Sequence, residues 1–162
     1  MAERVKRALV EAFYDALHIA MKRRGTEALA GLLADDVDFM IIGPVELLPY
    51  CGPRRGRAAA AAAYREIGET LDVTTYQRDY LLVDRDCASS FIRLVATQRA
   101  TRRVLSYRIA HFLRFRGGQV CEFRCLVDSL DAAEQVLGRP LDLSAPEAMP
   151  RPGMHDLAVL HA

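Results

Sequence analysis

"SYRIAHFLRFRGGQVCEFRC", residues 106–125, decides how this chain is read. Gly117-Gly118 separates two runs of alternating apolar and polar residues. Only glycine takes the positive φ angles of a two-residue hairpin turn at no steric cost, so the spacing predicts strands at 103–116 and 119–127. Alternation places Tyr107, Ile109, His111, Leu113 and Phe115 on one face of the first strand, and Arg108, Ala110, Phe112, Arg114 and Arg116 on the other. In the second strand Cys121, Phe123, Cys125 and Val127 share a face, opposite Gln119, Val120, Glu122, Arg124 and Leu126. The more apolar set must face the core. His111 is therefore expected to point inward beside Leu113, Phe115, Phe123 and Cys125. The arginines point outward, where Glu122 and Arg124 meet neighbours such as Arg114. Phe91, Val95, Phe112, Val120 and Leu126 are expected on the outer face too. Aromatics mixed with arginine are an interface composition, so that face is expected to form a homodimer.

Working outward, residues 3–22 carry Val5, Leu9, Ala12, Phe13, Ala16, Leu17 and Ala20 at helical spacing. Lys22-Arg23-Arg24-Gly25 suits the end of that helix. Tyr14 and His18 fall on the flank of its buried stripe and are expected at the rim. Thr26 reads as the N-cap of a short helix over 27–33. "VDFMII", residues 37–42, reads as a strand, with Asp38 turned outward. Glycine and proline crowd residues 43–56, which are expected to be a loop carrying Tyr50 and Cys51 over a pocket mouth. Arg54, Arg55 and Arg57 follow as a solvated turn. Six consecutive alanines open a helix over 57–71 that Tyr64, Ile67 and Leu71 continue. Strands are expected at 74–83 and 89–99. Asp128 and Ser129 cap a short last helix ended by Gly138 and Pro140. The order of elements, helices first and strands after, gives an α+β fold: a curved, mostly antiparallel sheet wrapped around the N-terminal helices into a cone-shaped barrel over 1–138. A proline-rich arm occupies 139–162.

Composition removes several function classes. The formal net charge is +1, and the arginines are scattered, which leaves no electrostatic footprint for nucleic acid. No apolar run nears the roughly 18 residues of a transmembrane helix, and the N-terminus lacks a secretory pattern, so no membrane partner is expected. The four cysteines show no CxxC spacing, and Cys121 and Cys125 would lie about 13 Å apart along one strand, too far to bridge. They read as reduced thiols of a cytoplasmic protein. The four histidines are too dispersed for a metal cluster, and no phosphate loop or Ser/His/Asp set is present.

"LVEAFYDAL", "LAGLLADDVDF", a loop with "PYCG", a helix and then "HFLRFRGGQVCEFR" together resemble the nuclear transport factor two-like superfamily. Within it the likeness is to SnoaL-like and ketosteroid-isomerase-like proteins, over roughly residues 5–138. The resemblance implies a conical α+β barrel, often homodimeric, around a deep apolar pocket for a small hydrophobic ligand. It also implies chemistry without a cofactor. The isomerase tyrosine of the first helix corresponds to Phe13, with Tyr14 adjacent. The carboxylate base corresponds to Ile41, and the protonated acid of the oxyanion hole to His111. An alternative register puts that acid at Ala110. Tyr64 matches a supporting pocket tyrosine. The aspartate of epoxide-hydrolase relatives corresponds to Cys125.

Candidate pocket residues are accordingly Phe13, Tyr14, Ile41, Tyr50, Leu94, Tyr107, Leu113, Phe123 and Cys125, with His111 as acid/base and Tyr64 as its support. Two functions follow. One is a cyclase-, isomerase- or dehydratase-type enzyme acting on a small hydrophobic molecule. The other is a non-catalytic ligand-binding or dimerisation module of the same fold.

Overall fold

A computed structural model describes residues 4–22 and 25–144. Arg23, Arg24 and the arm from residue 145 onward lie outside the described residues. The hairpin around Gly117-Gly118 consists of β5 (Val104–Arg116) and β6 (Gln119–Val127), and both glycines take positive φ, 57° and 76°. Before it run α1 (Arg7–Met21), α2 (Glu27–Leu32), β1 (Leu33–Ile42), β2 (Gly52–Arg55), α3 (Arg57–Thr70), β3 (Leu71–Asp84) and β4 (Cys87–Gln98); α4 (Ser129–Leu137) follows. The six strands form one sheet in the order β2-β1-β6-β5-β4-β3. Among the described strands only the β1/β6 pair is parallel. The sheet is curved and unclosed, the α+β architecture expected from the order of elements. α1 and α3 pack together and fill its concave side.

Alternation holds without interruption along β5, where Leu105, Tyr107, Ile109, His111, Leu113 and Phe115 are all buried. It fails in β6. Arg114 pairs with Glu122, but Phe115 pairs with Val120, which leaves Cys121 as an extra residue in a bulge. Residues beyond a bulge change face. Val120, expected outside, is therefore fully buried. β3 carries two such irregularities, between Val73 and Thr75 and between Arg78 and Tyr80.

Residues 43–56 are not wholly loop. Gly52–Arg55 pair antiparallel with β1, Met40 opposite Pro53. A proline fits there because β2 is an edge strand, where a missing N–H breaks no ladder. β1 also begins earlier than expected, at Leu33. Thr26 precedes α2, but its side chain makes no capping bond. Asp128 does cap α4, accepting from the Asp131 N–H at 3.1 Å. α4 lies against β5 beyond the end of β6, where Gln135 bonds both the N–H and the carbonyl of Ser106, at 2.6 and 2.8 Å. These bonds satisfy strand backbone that β6 no longer reaches.

On the convex face the register lines up a row of side chains across five strands: Tyr80, Phe91, Ala110, Leu126 and Ile42. Beside it runs Leu82, Ser89, Phe112, Arg124 and Met40. Leu82 is 63% exposed and Phe112 52%. Ion pairs flank the rows: Arg93 with Asp79 at 2.9 Å, Arg124 with Asp38 at 2.7 Å and with Glu122 at 3.2 Å, and Arg114 with Glu122 at 3.7 Å.

Candidate functional site

On the concave side the strand register sets two levels of side chains. Tyr76, Leu94 and Tyr107 are neighbours across β3, β4 and β5. His111, Cys125 and Ile41 are neighbours across β5, β6 and β1. Together with Tyr64 of α3 and Tyr50 of the loop after β1, these residues line a cavity of about 40 Å³. A water molecule's share of liquid volume is about 30 Å³, so a larger guest enters only by displacing wall residues. Leu48 and Tyr50 belong to the segment between β1 and β2. The hydrogen bonds of their segment are short-range: Leu47 and Leu48 donate to the Pro44 carbonyl, and Cys51 to that of Leu48.

Of the residues singled out from the sequence, Ile41, Tyr50, Tyr64, Leu94, Tyr107, His111 and Cys125 meet at this cavity. Phe13, Tyr14, Leu113 and Phe123 do not line it; they pack in the adjoining core. Tyr14 is not at the rim. It is 2% exposed, and its hydroxyl shares a 2.7 Å hydrogen bond with Ser90, the cross-strand neighbour of His111. The Tyr14 ring stacks on the imidazole, with centroids 5.8 Å apart and planes 10° from parallel. Arg78 lies over the Tyr14 ring, 4.9 Å from its centroid, and pairs with Glu11. Burial pushes the Tyr14 phenol up to about 12. Phe123 packs 5.0 Å from His111. The sequence pattern singles out neither Ser90 nor Tyr76. His18 is half-buried and stacks on Tyr76 at 5.1 Å.

Four buried polar atoms lack a hydrogen-bond partner among the described residues: the hydroxyls of Tyr50, Tyr76 and Tyr107, and Nδ1 of His111. All four residues line this one cavity. Burial lowers the His111 pKa to about 3, so the imidazole is neutral at pH 7. Burial likewise raises Tyr50, Tyr64, Tyr76, Tyr107 and Cys125 well above their usual ranges. Asp38, the carboxylate nearest in sequence to the expected base position, faces outward and is held by Arg124. Arg54 and Arg57 are also engaged, with Glu66 and the Pro49 carbonyl, and with Asp35 and the Leu33 carbonyl. Among the described residues no group of His, Cys, Asp and Glu is placed to hold a metal ion, and no helix is long and apolar enough to cross a membrane.

An open α+β cone with an apolar cavity on its concave side defines a class of small-molecule pocket proteins. Residues 10–123 match the model of the SnoaL-like domain, and this chain belongs to that family. A solved structure of a Rhodopseudomonas palustris protein named "Putative Isomerase" is 34% identical, covers 83% of this chain and all of its own, and superposes with a TM-score of 0.78. An NTF2-like protein of Burkholderia xenovorans is 20% identical, with coverage of 80% and 93% and a TM-score of 0.67. An LEH-like epoxide hydrolase of M. tuberculosis is 15% identical, with coverage of 81% and 88% and a TM-score of 0.61. These last two share the fold. No curated protein matches the chain.

Proposed function

We propose that this chain holds a small hydrophobic molecule in the His111 cavity and acts on it without a cofactor, by isomerase-, cyclase- or dehydratase-type chemistry. The observation that carries this reading is the convergence of four buried, unpartnered polar atoms on one cavity. Each such group costs about 1–3 kcal/mol when left unsatisfied, and native proteins keep few of them. A bound guest satisfies them. His111 acts here as a neutral imidazole, which polarises a carbonyl by donating a hydrogen bond rather than a full proton. Tyr64 packs edge-on against Phe39 and Phe123 and supports that wall. The name of the 34% identical Rhodopseudomonas relative adds support for an isomerase.

A second reading, a non-catalytic ligand-binding module, has its own support: among the described residues no carboxylate lines the cavity, and the expected base position is Ile41. One experiment separates the two. Native mass spectrometry identifies the molecule that the purified protein retains, and the protein is then incubated with fresh molecule. Conversion that is lost in His111→Ala is the expected result. Retention without conversion supports the module, and conversion undiminished in His111→Ala removes His111 from the reaction.

We also propose that two copies associate through the convex face. The apolar row across five strands, flanked by charges of both signs, suits a self-complementary two-fold interface. Sedimentation at micromolar concentration is expected to give a dimer that Phe112→Glu converts to a monomer with unchanged circular dichroism. A wild-type monomer contradicts the proposal. The four cysteines are all free thiols, which supports a reducing, cytoplasmic location.

A further inference from the structure

The cavity differs from the rest of the molecule in its electrostatics. Aspartate, glutamate, lysine and arginine make up 27% of the chain, and the ion pairs lie on the convex face and around the helices, yet among the described residues none of these lines the cavity. An ion brought inside meets no counter-charge, and the effective cost of burying one unpaired is several kcal/mol. The titratable groups already there respond in the same sense, each held in its neutral form by burial.

The hydrogen-bonding demand runs the other way. Three phenol hydroxyls need acceptors, and the imidazole Nδ1 needs a partner of either kind. They are not clustered at one point. Tyr107 and His111 stand four residues apart along β5, about 13 Å between Cα positions, and Tyr76 lies two strands from Tyr107 with Leu94 between them. Between these two levels the β5 side chain that lines the cavity is Ile109.

Resting on the pocket reading above, we infer that the cavity selects an uncharged, compact molecule bearing carbonyl, ether or hydroxyl oxygens at both ends, and rejects the ionised acid and amine of the same skeleton. One oxygen accepts from the Tyr107 phenol, and the other pairs with His111 Nδ1. Tyr50 closes over the guest. Selectivity of this kind needs no repulsive residue, because the unpaired polar groups penalise a guest without oxygen and the missing counter-charge penalises an ion.

A matched series tests this at pH 7: 4-methoxybenzyl alcohol, 4-methoxybenzoate, 4-methoxybenzylamine and the oxygen-free 4-ethyltoluene, each titrated against the full chain. The readouts are the ring proton signals of His111 and Tyr107 and the dissociation constant. The alcohol should move both signals and bind about 10-fold tighter than 4-ethyltoluene and at least about 30-fold tighter than either ion. Tyr107→Phe should weaken the alcohol about 10-fold and leave 4-ethyltoluene unchanged. An ion that binds as tightly as the alcohol overturns the neutral class while leaving the pocket standing. Equal binding of 4-ethyltoluene overturns the demand for oxygen. If no probe moves either signal, the pocket reading falls and this inference with it.

Discussion

Phe123→Ala is expected to remove about 4 kcal/mol of stability, a large part of the roughly 5–15 kcal/mol of a typical domain. Phe123 is fully buried and is the hub of the aromatic core. It stacks on Phe39 at 4.8 Å with planes 6° apart, and its ring also meets Phe13 at 5.8 Å, Tyr64 at 6.3 Å and His111 at 5.0 Å. Truncation removes the transfer free energy of the ring and the dispersion contacts on every side, and leaves a void the sheet cannot close. Aromatic pairs add about 0.5–1.5 kcal/mol beyond burial. Phe123→Leu keeps most of the volume and should cost markedly less. Urea unfolding followed by circular dichroism measures both; tryptophan fluorescence is not an option in a chain with no tryptophan. A loss near 1 kcal/mol in Phe123→Ala would mean that these rings are not packed as described.

The second large effect is acid destabilisation through His111. Burial lowers its pKa to about 3, against 6.5 in the unfolded chain. Above 6.5 both states are neutral there and the group contributes no pH dependence. As the pH falls from 6.5 toward 3, the unfolded state takes up a proton that the native state refuses, so stability is lost at up to about 1.4 kcal/mol per pH unit. Carboxylates add their own slopes, so the test is a difference. Between pH 7 and pH 4 the wild type should lose about 3 kcal/mol more than His111→Gln. Parallel stability curves for the two proteins would show that the imidazole is not desolvated. The same property bears on function, since a histidine neutral throughout this range contributes hydrogen bonds rather than charge to a bound molecule.

How much of this was legible in the sequence follows from where the strands are regular. β5 has no irregularity, so simple alternation placed His111 and Tyr107 on the concave side. β6 and β3 are bulged, and each extra residue moves the following side chains to the other face. Alternation alone therefore turns Val120 outward and gives no sign that Tyr76, between two irregularities, faces the cavity. Alternation cannot reveal a bulge whose residues, such as Cys121, are compatible with either face. β2 was hidden by its own composition, since Gly52 and Pro53 signal a loop and only edge pairing tolerates them. Tyr14 was misplaced because the buried stripe of α1 is wider than the spacing of its aliphatic residues suggests, and takes in Val10, Tyr14 and Met21. The family resemblance located Ile41, Tyr64 and Cys125 by order and spacing. What it did not carry was the state of the polar groups, which depends on burial that no single strand pattern encodes.

We propose that His111 and the three tyrosines Tyr50, Tyr76 and Tyr107 surround a space that a guest molecule fills. A crystal structure of the protein as purified from its expression host, refined at high enough resolution to place a small molecule, tests this most directly. Density is expected for an uncharged guest between the two levels, within hydrogen-bond distance of His111 Nδ1 and of at least one of Tyr50, Tyr76 and Tyr107. A closed, dry core in which His111 Nδ1 is bonded to a backbone carbonyl and the phenols to one another would contradict it.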